Sequence, residues 1–233
     1  MTSVTTDPAG LLPIAPGVDR WVMPQASMNA LVVADAGEAL VVDPGTLPAR
    51  AAELRAAIEA RGDRVVAVAI THAHWDHCFA LAAFADVPSF AHPAAIAELR
   101  EHGEAQREHV LGFASDEVAD ALRALEIAIP AEAVAESRTL RIGGLEVRLE
   151  PIGRAHTGGD LIVHVPAAGV TIAGDLIETA DDPQTDDSTD LGGWLRALDR
   201  LAATAQPLLV PGHGDPCGHE RIAHHRALLR GRA

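Results

Sequence analysis

The chain has 233 residues, 48% hydrophobic and 22% charged, which supplies a sizeable core and excludes a disordered chain. Its 18 basic residues, all arginine, face 33 acidic ones, and the net charge of −15 disfavours nucleic acid and anionic membrane and leaves a small molecule as the expected partner. No apolar run approaches the roughly 20 residues of a membrane span, residues 1–10 carry neither a basic nor an apolar signal region, and two cysteines make no disulfide framework. A cytoplasmic protein is expected.

In chain order, Trp21–Met23, Ala30–Ala34 and Ala39–Val42 read as short strands, the last two joined by an Asp35-Ala36-Gly37 turn. Pro48–Ala60 reads as an amphipathic helix closing at Gly62, and Val65–Thr71 as a strand buried on both faces. Phe79–Phe84 reads as helical, Pro88–Ala91 as a short strand and Pro93–Glu101 as a helix. Residues 102–137 show no clear period, although Asp116 could cap a helix running through Leu125. Hairpins follow at Leu140–Ile142 with Leu145–Leu149 and at Leu161–Val165 with Val170–Ala173. A helix from about Leu191 to Ala203, a strand at Leu208–Val210 and a helix from about Gly218 to Arg230 complete the chain. With no internal repeat or linker in view, one domain over residues 1–233 is expected.

Histidine, at 12 residues, is the unusual number, and its placement carries the chemistry. Thr71-His72-Ala73-His74-Trp75-Asp76-His77 follows a buried strand and precedes a helix, so it lies at a strand's carboxyl end, where α/β proteins usually build sites. In extended backbone residues i and i+2 point the same way, so His72 and His74 can aim two imidazoles at one ion. Where the chain turns into the helix, Asp76 and His77 can face a neighbouring position. His156 sits in a Gly-rich loop between two expected strands, and Asp175 and His213 each sit just past an apolar strand, all flanked by glycines that permit tight turns.

Asp43 after a strand, His72-x-His74-x-Asp76-His77, His156, Asp175 and His213 together resemble the ordered motifs of the metallo-β-lactamase superfamily. The resemblance runs from about residue 20 to 215 and implies an α/β fold, a four-layer αββα sandwich with a dinuclear metal site on one edge. It implies that His72, His74 and His156 hold one metal and that Asp76, His77 and His213 hold the second, with Asp175 bridging and Asp43 orienting ligands from behind. Two divalent ions are implied, zinc first, with Mn or Fe also suited to a His/carboxylate set. The implied activity is hydrolysis of an ester, thioester or lactone-type bond by a metal-bridging hydroxide that Asp76 would help to orient.

Within the superfamily, the branches that open β-lactams typically have Cys or Ser where this chain has Asp175, so the ligand set is closer to glyoxalase II-like and lactonase-like hydrolases. The chain departs from these too: Cys78-Phe79-Ala80 stands where glyoxalase II usually has Gly-Gly, and the sequence has no Tyr or Lys for substrate. Two alternatives stay open. One is a mononuclear iron enzyme resembling persulfide dioxygenases, with His72, His156 and Asp175 as its triad. The other is a non-catalytic metal-binding protein on the same scaffold.

Trp75 could wall a substrate cleft or cover the core, and Arg154 could bind a substrate carboxylate or lie on the surface. Cys78 and Cys217 read as small packing residues rather than nucleophiles. The acidic segment 179–190 reads as a solvated loop with Asp190 or Ser188 capping the next helix, or as a lid that repels anions. The other histidines read as surface or packing residues. Substrate identity and oligomeric state are not legible.

Overall fold

The computed structural model describes residues 10–23 and 27–232; the N-terminal segment read for a signal lies largely outside them. Strands β1 (Leu12–Ala15), β2 (Val18–Val22), β3 (Asn29–Asp35), β4 (Glu38–Val42), β5 (Arg64–Ala69), β6 (Ser89–Ala91) and β7 (Glu132–Ala133) form one sheet in that spatial order. Its pairing is antiparallel from β1 to β4 and parallel from β4 to β7. The second sheet comprises β8 (Arg138–Ile142), β9 (Leu145–Gly153), β10 (Asp160–Val165), β11 (Val170–Gly174) and β12 (Leu208–Pro211), ordered β12-β11-β10-β9-β8. Only the β11–β12 pair of this sheet is parallel among the described residues.

Period-two alternation sorts the strand side chains into two faces. On β3, Ala30 and Val32 join a buried cluster with Leu54 and Ile58 of α1 (Pro48–Ala60), Leu99 of α3 (Pro93–Leu111) and Leu122 of α4 (Asp116–Ala124). Leu31 and Val33, on the opposite face, join Leu149, Leu161 and Val163 between the sheets. On the far side, Ile162 and Leu209 cluster with Trp194 and Leu198 of α5 (Leu191–Thr204) and Ile222 and Leu229 of α6 (Glu220–Arg230). The layers therefore run helix, sheet, sheet, helix, as the family resemblance implies. No described helix is long and apolar enough to cross a membrane.

Several elements differ from the sequence reading. The strand expected at Trp21–Met23 lies earlier, at Val18–Val22, and β1 and β7 had no strong apolar signal. Phe79–Phe84 is a 3-10 turn following the single-turn helix α2 (Trp75–Cys78). The helix expected to stop at Glu101 runs to Leu111, because its buried stripe of Ile96, Leu99 and Val110 includes Gly103 where a large apolar residue would be looked for. Gly103 faces Ile127, beyond α4, at a distance where a Cβ would lie 3.4 Å from it. Ser115, not Asp116, is the residue before α4, and Asp116 sits in its first turn.

A candidate two-part metal centre

The residues singled out by motif converge on one edge of the sandwich, at the carboxyl ends of strands. Asp43 follows β4, the 71–77 segment follows β5, His156 follows β9, Asp175 follows β11 and His213 follows β12. Two groups of ligand-capable atoms result, each within 4.8 Å: His72, His74, His156 and Asp175, and Asp76, His77 and His213. Asp175 links them. Its Oδ2 lies 3.7 Å from His72 Nε2, 3.5 Å from His156 Nε2 and 3.4 Å from His213 Nε2, while its Oδ1 lies 3.2 Å from His77 Nε2. The i, i+2 spacing works as expected: the His72 and His74 rings both face His156, at 4.9 and 4.8 Å between centroids.

A hydrogen-bond relay behind the cluster fixes which ring nitrogen each histidine presents. Asp43 accepts from the Thr71 backbone N–H at 2.7 Å, from Thr71 Oγ1 at 2.6 Å and from His77 Nδ1 at 2.9 Å. Because the Thr71 hydroxyl proton goes to Asp43, Thr71 Oγ1 accepts from His72 Nδ1 at 3.0 Å. Both His72 and His77 are thereby left with Nε2 facing the cluster. His74 is turned the other way. Its Nε2 donates to Asp186 at 3.0 Å, and its Nδ1 lies 3.1 Å from His156 Nε2. The His156 ring itself rests against Trp194, with centroids 5.0 Å apart.

Backbone geometry is bent to serve this arrangement. Asp43 adopts a left-handed conformation, φ 56°, at a cost of about 1 kcal/mol for a residue with a Cβ. Gly174 is also left-handed, and a Cβ there would lie 2.8 Å from Thr71 Oγ1. A Cβ on Gly212 would collide with the Asp175 carboxylate. Asn29, buried on β3, donates to the carbonyls of Pro211 and Gly214 at 3.0 and 2.7 Å and so ties the His213 loop to the first sheet.

The electrostatics ask for cations. Asp43, Asp76 and Asp175 are all buried, and a buried carboxylate needs a compensating charge. Burial, with neighbouring His77, drives His72 well below the usual imidazole range and, with His74, takes His156 down to about 4, so both remain neutral donors of a lone pair. Against the lowering effect of burial, the carboxylates of Asp175 and Asp76 push His213 up to about 10 and raise His77 strongly. Asp175 is held well below the ordinary carboxylate range, because His77 and His72 outweigh the opposing effect of burial. His72 Nε2 and Asp175 Oδ1 are buried with no hydrogen-bond partner, which suits atoms that coordinate an ion. Imidazoles and ionised carboxylates in this mixture fit zinc, manganese or iron.

Two cavities meet at the centre. One, of about 350 Å³, is lined by Asp76, His156, Asp175, Glu178 and His213. The other, of about 580 Å³, lies against α3 and is walled by Trp75. They share His74 and Asp186. Trp75 stands edge-on to the exposed Phe113, 6.0 Å between centroids. Arg154 lines neither cavity: it is exposed, and its Nε donates to the Ser188 carbonyl. Cys78 donates to the His74 carbonyl, and burial keeps its thiol protonated. Burial likewise pushes the Cys217 thiol up to about 11. Asp190 caps α5 by accepting from Gly193 N at 2.9 Å.

Sequence reasoning missed four contributors: Thr71, Asp186, Glu178 and Gly212. Thr71 stood beside the motif, and Asp186 within the acidic loop already noted, but nothing local marked either as a partner of a histidine. Of the remaining histidines, His164 is buried between Thr171 and Glu150, and His225 accepts the Glu178 backbone N–H at 2.9 Å.

A family model described as the metallo-beta-lactamase superfamily matches residues 25–213. The metallo-beta-lactamase type 2 of Bacteroides fragilis is 24% identical over 133 residues, 54% of this chain and 53% of that protein. The chain thus spans about half the length of that curated relative. Among solved structures, a metallo-beta-lactamase from Pontibacter korlensis superposes with a TM-score of 0.77 at 19% identity, covering 94% of this chain and 98% of that one. The metallo-beta-lactamase FIM-1 from Pseudomonas aeruginosa, solved in a mono-zinc form, gives 0.74 at 18% identity, covering 95% of each chain. At these identities the structural likeness is one of fold.

Proposed function

The chain belongs to the metallo-beta-lactamase superfamily, and on that premise we propose that it is a dinuclear metal-dependent hydrolase with a glyoxalase II-like ligand set, cleaving an ester, thioester or lactone-type bond in a small molecule. The observation that supports this most is the Asp175 carboxylate, set within 3.7 Å of imidazole nitrogens from both ligand groups. His72, His74 and His156 would hold one ion and Asp76, His77 and His213 the other, with Asp175 within reach of both groups; zinc is the first choice, with manganese or iron fitting the same donors. Two such ions would supply a water of lowered pKa and polarise the scissile carbonyl.

The chain's own residues do the positioning. Asp43 and Thr71 hold His72 and His77 in one tautomer, and Asp186 does the same for His74. Asp76 stays ionised beside His77 and His213 despite its burial. Its Oδ2 lies 3.3 Å from His213 Nε2, and its carboxylate would be available as an acceptor to orient a water. Beta-lactam opening, the activity in the relatives' names, is the weaker reading for a cleft that pairs Asp175 with an acidic lining. A cytoplasmic setting fits two free cysteines.

Elemental analysis of protein purified without added metal or chelator tests the reading. About two zinc, manganese or iron ions per chain, with turnover on an ester, thioester and lactone panel, supports it. About one iron per chain with no hydrolysis replaces it with the mononuclear oxygenase, and a site that refuses added metal overturns the ligand assignment.

A further inference from the structure

Glu178 follows Asp175 by three residues and occupies the metal-side cavity without a role in the ligand set. Its backbone is clamped to α6: its N–H donates to His225 Nε2 at 2.9 Å and its carbonyl accepts from Arg221 Nε at 2.6 Å. The side chain is therefore placed by a fixed main chain, not by a mobile loop. It is 3% exposed, and among the described residues its carboxylate receives one long hydrogen bond, from Gln184 N–H at 3.5 Å. Arg221 donates to the carbonyls of Glu178 and Asp181, not to the Glu178 carboxylate. The carboxyl faces a cavity open to a ligand.

Apart from histidines, the charged side chains lining the cleft are acidic. Asp181 and Asp186 line the same cavity, and Glu98, Asp186 and Asp187 line the adjoining one. No arginine lines either cavity among the described residues, and the chain has no lysine. Away from the ligand histidines, a substrate carboxylate would meet no arginine or lysine in this lining, whereas a protonated amine would find acceptors in Glu178, Asp181 and Asp186.

We propose that Glu178 is the specificity residue of this cleft, reading a protonated amine on the substrate, so that amine-bearing esters are taken and carboxylate-bearing ones refused. This rests on the hydrolase reading above and deepens it. The ammonium N–H donates to the Glu178 carboxylate while the ester carbonyl lies toward Asp175, which the common lining of one cavity of about 350 Å³ allows.

Three esters of one acid separate the possibilities: 2-(dimethylamino)ethyl butyrate, its uncharged isostere 3-methylbutyl butyrate, and 2-carboxyethyl butyrate. With zinc-loaded wild-type protein, the kcat/KM ratio of the amine ester to the uncharged ester should exceed about tenfold, the scale of one charge-assisted hydrogen bond, with the carboxylate ester slowest. Glu178→Gln should bring the ratio close to one, Glu178→Asp should retain part of it, and Glu178→Lys should place the carboxylate ester first. A ratio near one in the wild type, or a ratio unchanged in Glu178→Gln, overturns the assignment. Should the wild type cleave none of the three, the hydrolase reading is left to the thioester and lactone panel, and calorimetric titration with N,N-dimethylbutylamine decides on Glu178 alone. Binding weakened about tenfold or more in Glu178→Gln upholds the amine site, and absence of binding to the wild type overturns it.

Discussion

Asp43 Oδ2 accepts from His77 Nδ1 at 2.9 Å across 34 residues of sequence, and it does so from a left-handed backbone. The same oxygen accepts the Thr71 hydroxyl, so one buried carboxylate sets the tautomer of a histidine in each ligand group. An aspartate that only capped a turn would have no reason to be 1% exposed and strained.

Replacing Asp43 by Ala should therefore weaken zinc binding by about 10- to 100-fold, the usual cost of losing a partner behind a metal ligand. Competition against a chelator of known affinity measures this. Thr71→Val, which removes the relay to His72 but leaves Asp43 on His77, should cost less. Equal affinities in wild type and Asp43→Ala would remove the relay from the account of the centre.

Asp186 makes the equivalent contact to His74, but from the surface, with its side chain 49% exposed. Water can replace an exposed acceptor, so Asp186→Ala should lower zinc affinity only a few-fold, well short of the Asp43→Ala loss. The same competition titration ranks the two. A larger loss for Asp186 than for Asp43 would show that the acidic loop, not the strand edge, governs the site.

The strand edge was legible because its signals are local. His72, His74, Asp76 and His77 fall within six residues, and each of the later ligands directly follows an apolar strand, so motif and topology coincide. Asp186 is 112 residues from His74, and no spacing rule relates them. Gly103 hid the length of α3, because a helix face built on an absent side chain breaks the apolar period that reveals a helix. β7 was invisible for a related reason: two residues pairing with the edge of β6 need no apolar alternation. The cavities are assembled from α3, the residues after β9 and the 179–190 loop, so their lining had no continuous segment in which to appear.

His225 gives the fold an acid-side weakness separate from the ligands. It is fully buried, and burial followed by the charge of Arg221 takes it down to about 4. Since this lies below the unfolded value of about 6.5, the unfolded chain binds the proton more readily between the two. The associated stability is complete above about pH 6.5 and is lost as pH falls towards 4. Urea unfolding at pH 7.5 and pH 5 should show a drop about 1 to 2 kcal/mol larger for wild type than for His225→Gln, whose amide oxygen can still accept the Glu178 N–H. Identical drops would mean that His225 is already protonated, or solvated, in the folded protein.

Gly212 offers the sharpest separation of site from fold. It lies between β12 and His213, its N–H donating to the Gly174 carbonyl at 3.0 Å and its carbonyl accepting from Asn29 N at 2.8 Å. A Cβ at this position would run into the Asp175 carboxylate and come within 2.9 Å of His77 Cε1, touching the link between the ligand groups and little of the apolar core. Gly212→Ala should therefore fold, with far-ultraviolet dichroism like that of wild type, yet bind fewer than two ions per chain and lose activity about 100-fold or more, because displacement of a ligand by about 1 Å costs that much. Elemental analysis on the folded variant reads the first effect and the ester panel the second. A Gly212→Ala protein that keeps two ions and full turnover would mean that Asp175 has freedom to move aside, and that the close approach of the β12 loop is packing alone.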